Sequence, residues 1–320
     1  MNPKKTWGPL IVLLIFIVHI ISFSQSRSEE NISSDYPLTM IDAQVTSRKS
    51  GQSIGDLNHD NFIVKEDGVR QFISTMERHA RALSILVLID RSIHRGNRPQ
   101  VEAALRDFQS SLINSITEND ELSVMAIADE PMLSLNFTDH KETVRQVLAS
   151  VIQLRNLDKS PRKTDYEAVF SEASKQMRYV KKPLNRRVII FFSAISKSEV
   201  SAYNVPTTVL NLLLAPTSIF CWYNVIPIDI YPAESPIVNL HGRLSVADLV
   251  SLTGGEMEGS GLADVINRLR ERYQIGYTPI NRFGIGKIHR ISLEISPTAK
   301  VDRNDLRIIY NKAYISSPRN

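Results

Sequence analysis

The sequence predicts an α/β protein in which a doubly wound, mostly parallel sheet is inserted between two β segments that form a small β-sandwich. Strand and helix patterns alternate through residues 81–272, which is typical of a parallel sheet covered by helices on both faces. Residues 37–80 and 273–316 carry only strand patterns and turns. Neither end segment alone has enough strands to bury a face, so we expect the two to pair.

The first β segment opens with an alternating strand at residues 40–47 and continues with DNFIVKEDGVRQFIS, residues 60–74. Asp67-Gly68 divides that stretch into two short strands. This dipeptide favours a type I′ hairpin turn, because both central residues of such a turn need a positive φ. The acidic pair Glu66-Asp67 lies at the turn, and we expect it to be solvated.

The central segment begins with LSILVLID, residues 83–90, whose nearly continuous apolar run predicts a strand buried on both faces. A helix follows from Pro99, since proline is favoured at the first helical position. Gly254-Gly255 predicts the end of a later helix. The other elements alternate in the same way, with strands at residues 121–128, 132–137, 187–193 and 220–231 and helices beginning at Asp139, Thr164, Thr207, Leu244 and Gly261.

The last β segment contains three strand candidates separated by turn residues. They are YQIGYTP, KIHRISLEI and LRIIYNKAYI, at residues 273–279, 287–295 and 306–315.

The N-terminus predicts export. Lys4 and Lys5 precede an apolar run at residues 10–23, and Ser24-Gln25-Ser26 follows, the order of a secretory signal peptide. We assign residues 1–26 to the signal and residues 27–36 to a linker. The alternative is an uncleaved membrane anchor, although the run is shorter than the ~20 residues that span a bilayer. The chain is thus expected in the periplasm, in the cell envelope or secreted, with membrane contact only through this segment if it is uncleaved.

Charge and cysteine content narrow the functional class and the cellular compartment of the protein. Lys+Arg number 38 and Asp+Glu 34, and two of the lysines lie in the leader, so the mature chain is nearly balanced. No basic stripe with interleaved aromatic residues is present, which argues against nucleic-acid binding. Cys221 is the single cysteine and is expected to be a buried thiol. An exported chain without a disulfide favours a bacterial envelope.

The order of motifs in the central segment resembles the von Willebrand factor type A (vWA) domain, a Rossmann-like fold. In chain order the motifs are a strand followed by Asp90-x-Ser92, an amphipathic helix, ENDELSVMAIAD (residues 118–129), Thr164, an apolar strand ending at Ser193, and LVSLTGGEMEG (residues 249–259). The flanking stretches DLNHDNFIVKEDGVRQFIS and INRLRERYQIGYTP resemble the exported bacterial "VWFA-related" family frequent in Acidobacteria. The resemblance covers residues 38–316.

This resemblance implies a metal-ion-dependent adhesion site (MIDAS) at the top of the sheet, and the match is partial. Asp90 and Ser92 hold its first two positions, and Thr164 fits its loop threonine. His94 stands where the family has a second serine, and Ala194 stands where it has an aspartate. Asp165 is adjacent to Thr164, but its side chain is expected to point elsewhere. The site is therefore expected to be degenerate.

Three interpretations of the degenerate site remain open. Asp90 and Ser92 bond loop amides while His94 lies on the surface, so that no cofactor binds. Alternatively, Asp90, Ser92 and Thr164 hold a weak Mg²⁺ or Mn²⁺, since these ions prefer oxygen ligands. In the third, His94 completes a Zn²⁺ or Ni²⁺ site, because imidazole suits those ions.

Other site motifs are weak. Asp56 to Asp60 begins like a calcium loop, but Asn61 replaces the turn glycine. No nucleophile elbow, phosphate loop or His-Glu-x-x-His motif is present. We therefore expect a non-catalytic exported protein-binding module whose partner docks near Asp90, Ser92, His94 and Thr164. The alternatives are a membrane-anchored structural envelope component and an unrecognised hydrolase.

Overall fold

The computed structural model describes residues 38–90, 98–127, 131–152, 166–192, 217–222, 246–258, 261–280 and 287–316. Its strands are β1 (Thr39–Ser47), β2 (Phe62–Glu66), β3 (Val69–Gln71), β4 (Ile73–Glu77), β5 (Leu83–Asp90), β6 (Glu121–Ile127), β7 (Pro131–Thr138), β8 (Arg186–Phe192), β9 (Thr217–Trp222), β10 (Met257–Glu258), β11 (Tyr273–Tyr277), β12 (Ile288–Ile295), β13 (Leu306–Tyr310) and β14 (Ala313–Ile315). Its helices are α1 (Arg98–Ser115), α2 (Lys141–Ile152), α3 (Tyr166–Gln176), α4 (Val246–Leu252) and α5 (Leu262–Arg270).

The central sheet has the strand order β10-β9-β8-β5-β6-β7. Neighbouring strands are parallel except for β7, which runs antiparallel to β6 at one edge. The strands β5 and β6 are buried along their whole length, as the apolar run of β5 predicts for that strand. The α/β class and the mostly parallel sheet are therefore confirmed.

Helices cover both faces of this sheet. Phe108 of α1 packs edge-to-face on Phe192 of β8, with ring centroids 5.3 Å apart. Phe170 of α3 packs in the same way on Phe191, at 5.7 Å. Consecutive residues of a strand point to opposite faces, so α1 and α3 lie on opposite sides. The sheet is doubly wound, as predicted.

The two β segments build a sandwich of two four-stranded sheets. Their strand orders are β13-β1-β11-β4 and β14-β12-β2-β3. Strand β1 lies between β11 and β13, and β2 pairs with β12, so each sheet draws strands from both ends of the chain. Phe62 packs edge-to-face on Tyr273 at 5.5 Å within the core between the sheets. The predicted pairing of the two segments is confirmed as part of this fold class, whereas the exact domain boundaries stay predictions.

The predicted single strand at residues 306–315 is wrong in one respect, since it is two strands on different sheets. The chain turns the corner at Asn311 and Lys312. Asn311 Oδ1 accepts a hydrogen bond from the Asp42 amide at 2.7 Å, and the Lys312 amide donates to the Leu252 carbonyl at 2.8 Å. Together with an isolated β-bridge between Thr253 and Asn311, these long-range bonds hold the corner and bring the end of α4 against the sandwich.

Two turns were predicted correctly. Asp67 and Gly68 have φ angles of 48° and 83°, as a type I′ turn requires. Gly254 follows the end of α4 with φ +72°, and a Cβ there would lie 2.5 Å from the Tyr310 carbonyl carbon. Only glycine fits both that conformation and that close approach.

No helix in the described part of the chain is long and apolar enough to cross a membrane. The predicted signal at residues 1–26, the linker at residues 27–36 and the helix predicted from Thr207 lie outside that part. The strand predicted at residues 220–231 begins earlier, at Thr217, and its described portion ends at Trp222.

Candidate functional site

Asp90 ends β5, the strand at which the chain changes direction across the sheet. From β5 the chain proceeds to β6 and β7 on one side, and it then crosses to β8 and β9 on the other. The carboxyl ends of strands at such a switch point form the crevice in which α/β proteins bind ligands. Asp90 is a fully buried carboxylate at that position, so the sequence places an acidic group where a site is expected.

The two strands that neighbour β5 end level with Asp90 in the register of the sheet. Asp90 pairs with Ile127, the last residue of β6. Ile89 pairs with Phe192, the last residue of β8. The aromatic contact between Phe192 and Phe108 anchors that end of β8 to α1. The edge of the sheet around Asp90 is therefore formed by three strand ends that are held by core packing.

Asp90 is the predicted site residue that the structure describes. Ser92, His94, Thr164 and Ala194 lie outside the described residues, as does Asp165. The composition of the MIDAS and the ion it would bind therefore stay predictions. The same holds for the approach of Ser92, His94 and Thr164 to Asp90.

The sandwich attaches to the opposite end of the sheet. Arg186 is the first residue of β8, and its Nε donates to Asp42 Oδ1 of β1 at 2.9 Å. Arg186 also donates to the carbonyls of Leu269 and Arg270, at the end of α5. These contacts lie at the amino ends of the parallel strands, a whole strand length from Asp90.

The acidic residues of the ENDEL stretch serve this attachment end as structural groups. Asp120 is buried and binds Arg270 through both oxygens, at 2.7 and 2.6 Å. It also accepts hydrogen bonds from the amides of Leu83 and Thr117. Burial raises the pKa of Asp120, but the hydrogen bonds from Arg270 and the two amides outweigh it, so the pKa lies below its usual value. A carboxylate held ionised in this way positions β5 and β6.

A second polar cluster lies inside the sandwich and was missed from the sequence. Glu66 at the end of β2 is buried, which makes the expectation of a solvated Glu66-Asp67 pair wrong for Glu66. Its Oε2 accepts hydrogen bonds from the hydroxyls of Tyr277 at 2.7 Å and Tyr314 at 3.0 Å. His289 of β12 places Nδ1 2.8 Å from Asp67 Oδ2 and 3.5 Å from Glu66 Oε1. The Asp-Gly turn was the one sequence signal here, since it fixes the direction of Asp67.

The tyrosines of this cluster are held un-ionised. Burial raises the pKa of Tyr277, and the hydrogen bond to the Glu66 carboxylate raises it further. Burial also raises the pKa of Tyr314. Both hydroxyls therefore remain donors to Glu66 at neutral pH, and they fix which of its oxygens faces the tyrosines.

Comparison with known proteins gives one family match. Residues 85–195 match the family model of the von Willebrand factor type A domain. No curated protein matches the chain.

Three solved structures similar to this chain share 10–15% sequence identity with it. An aerotolerance-related membrane protein from Bacteroides fragilis has 10% identity, with 58% of this chain and 100% of that chain covered and a TM-score of 0.37. BatB from Bacteroides thetaiotaomicron has 15% identity, coverage of 59% and 98%, and a TM-score of 0.39. The vWF domain of the type V pili tip protein Mfa5 from Porphyromonas gingivalis has 15% identity, coverage of 37% and 39%, and a TM-score of 0.29. The family match covers the part of the doubly wound sheet from β5 to β8, so residues 85–195 of this chain match the von Willebrand factor type A (vWA) domain family.

Proposed function

We propose that the protein is a non-catalytic exported protein-binding module that binds its partner at the carboxyl end of the vWA sheet. The binding face would comprise Asp90, Ser92, His94 and Thr164. The observation that carries this proposal is the position of Asp90, which is buried at the switch point of the sheet. The described contacts of the sandwich lie at the other end, through Arg186 and Asp42, which supports a partner at the Asp90 end.

The donor set at this face fits a divalent ion poorly. Asp90 provides one carboxylate at the end of β5, and Ser92 and Thr164 are the two hydroxyl residues that would join it. Ala194 provides no ligand in place of the family's aspartate, and His94 replaces an oxygen ligand that Mg²⁺ and Mn²⁺ prefer. We therefore expect partner binding to rest on loop side chains and to persist without a metal ion.

Site-specific crosslinking tests this proposal. A photoreactive residue at Ser92, introduced into the full chain in its host, is expected to form an adduct with one partner protein. Leu184 is the matched control, because it is 84% exposed and precedes β8 at the attachment end of the sheet. The Ser92 adduct is expected to persist in EDTA. Equal adducts from both positions, or none from Ser92, would refute binding at this face.

An envelope component held by an uncleaved N-terminal helix is the second candidate, favoured by the apolar run at residues 10–23. Mass spectrometry of the exported protein separates the two functions. A mature N-terminus near Arg27 supports the released binding module, whereas an intact Met1 supports the anchored component.

A further inference from the structure

We propose that Glu66, Asp67 and His289 form a binding site for a divalent transition-metal ion, with Zn²⁺ the best match, inside the β-sandwich. This site lies outside the vWA domain and is independent of the binding face around Asp90. It would join the β2–β3 hairpin turn to β12 through one ion.

The three ligand atoms already lie close together. Glu66 Oε1, Asp67 Oδ2 and His289 Nδ1 are all within 4.8 Å of one another. The distances from Nδ1 to the two oxygens are 2.8 Å and 3.5 Å. Ligands about 2.1 Å from a tetrahedral Zn²⁺ are about 3.4 Å apart, so small side-chain shifts bring all three into contact with one ion.

Glu66 Oε1 supplies the second observation. Glu66 is only 2% exposed, and among the described residues no donor forms a hydrogen bond with Oε1. A buried carboxylate oxygen without a hydrogen bond is costly. His289 Nδ1 lies 2.8 Å from Asp67 Oδ2 but 3.5 Å from Glu66 Oε1, which is too far for a good hydrogen bond. A cation between the three atoms would satisfy Oε1 directly.

Each ligand is held by a neighbour that orients it, as is usual around protein-bound metals. Tyr277 and Tyr314 bind Oε2 of Glu66 and so turn Oε1 toward His289. The Arg290 amide donates to Asp67 Oδ1 at 2.9 Å and leaves Oδ2 for the site. The His289 ring stacks on Tyr314 with centroids 5.1 Å apart.

The chemistry of the ligands selects the ion. Imidazole nitrogen favours Zn²⁺ and its transition-metal neighbours over Mg²⁺ or Ca²⁺. Two carboxylates with a neutral imidazole carry a charge of −2, which a divalent ion neutralises. Asp67 is 46% exposed, so an ion reaches the site from solvent and a water completes its coordination.

Calorimetric titration of the metal-stripped mature chain with ZnCl₂ tests the site. We expect saturable binding that falls at least ~100-fold in Asp67→Asn and in His289→Gln. Loss of the orienting hydroxyl in Tyr314→Phe is expected to weaken binding about 10-fold. Asp67→Asn should fold, because asparagine tolerates the left-handed turn conformation.

Two control variants locate the binding. His59 lies 3.2 Å from Asp60 on the surface without a third ligand among the described residues, so His59→Gln should leave the affinity unchanged. Asp60→Asn, which removes the carboxylate beside His59 on the same surface, should also leave it unchanged. No Zn²⁺ binding, or binding insensitive to both Asp67→Asn and His289→Gln, would overturn the proposal.

Thermal unfolding of Glu66→Gln distinguishes a metal site from a simple ion pair. Without Zn²⁺ this variant is expected to melt somewhat lower than the unsubstituted chain, because an amide is a weaker acceptor than a carboxylate for Tyr277 and Tyr314; with Zn²⁺ the difference should widen. With Zn²⁺ the unsubstituted chain alone should gain stability. Destabilisation by Glu66→Gln that is the same with and without Zn²⁺ would mean that the cluster is only an ion pair.

Discussion

Asp42 of β1 faces two buried guanidinium groups. Arg186 Nη2 lies 2.8 Å from Asp42 Oδ1, and Arg272 Nη1 lies 3.7 Å from Oδ2. Arg272 follows α5 and is fully buried, and Arg186 opens β8. One carboxylate of the sandwich thus pairs with two cations at the attachment end of the vWA domain.

Asp42→Asn should destabilise the protein by about 3–5 kcal/mol, because it leaves buried charge without its carboxylate partner. The free energy of unfolding in urea measures the change. Asp302→Asn is the control, since Asp302 pairs with Lys49 at 3.6 Å on an exposed surface and such pairs contribute at most about 1 kcal/mol. A similar small loss in both variants would contradict the assigned role of Asp42.

Asp120→Asn is expected to cost about 3 kcal/mol at neutral pH, since Arg270 loses a bidentate buried partner. The folded pKa of Asp120 lies below its ordinary value of 3.8. Its stabilisation is therefore complete above that value and is lost as pH falls through the folded pKa. The stability difference between the two proteins should be constant from about pH 5 to 8 and should narrow below 3.8. A difference that widens in acid would refute the assignment.

Tyr277→Phe removes a hydrogen bond to a buried carboxylate and should cost about 1.5–3 kcal/mol at pH 7. The raised folded pKa of Tyr277 means that its contribution is complete below the ordinary tyrosine pKa of 10 and declines as pH rises above it. Chemical unfolding from pH 7 to 11 should thus show that the difference in the free energy of unfolding between the two proteins becomes smaller above pH 10. Tyr179→Phe, at a 67% exposed position, should have the same free energy of unfolding as the unsubstituted chain at pH 7.

Gly254→Ala should be far more damaging than Gly68→Ala, although both glycines have a positive φ. A Cβ at Gly254 meets the Tyr310 and Asn311 backbone at 2.5 and 2.6 Å, while a Cβ at Gly68 meets nothing within 4 Å. We expect about 1–2 kcal/mol for Gly68→Ala from φ alone. Gly254→Ala should add about 1–3 kcal/mol for overpacking. Equal losses of stability in thermal unfolding would show that the backbone around Gly254 shifts at little cost to accommodate a Cβ.

The central sheet was predictable because its strands carry the signal locally. Leu83–Asp90 and Arg186–Phe192 are buried runs, and such runs mark parallel strands without reference to the rest of the chain. The corner at Asn311 was not predictable, since apolar residues continue on both sides without a glycine or proline. Its position depends on the Asp42 amide, 269 residues away.

The two sites differ in the same way. Asp90 was predictable because it ends an apolar run, and the structure places it at the switch point. Glu66 looked like a solvated turn residue, but strands far along the chain cover it. Tyr277 and Tyr314 lie 211 and 248 residues from it in sequence. A cluster assembled from such distant segments has no characteristic residue spacing that would identify it in the sequence.

The vWA domain enters and leaves the sandwich at nearly one point, as the hydrogen bond from the Arg81 amide to the Arg270 carbonyl shows at 3.2 Å. During synthesis β1 to β4 emerge long before their partners β11 to β14. Once the inserted domain has folded, it closes the gap between the two halves as a short loop would, which lowers the entropic cost of pairing them. The sandwich is therefore expected to assemble last, after the inserted domain has folded. A nascent chain that ends before residue 273 would expose to chaperones the apolar residues of β1 to β4 that later form part of the sandwich core.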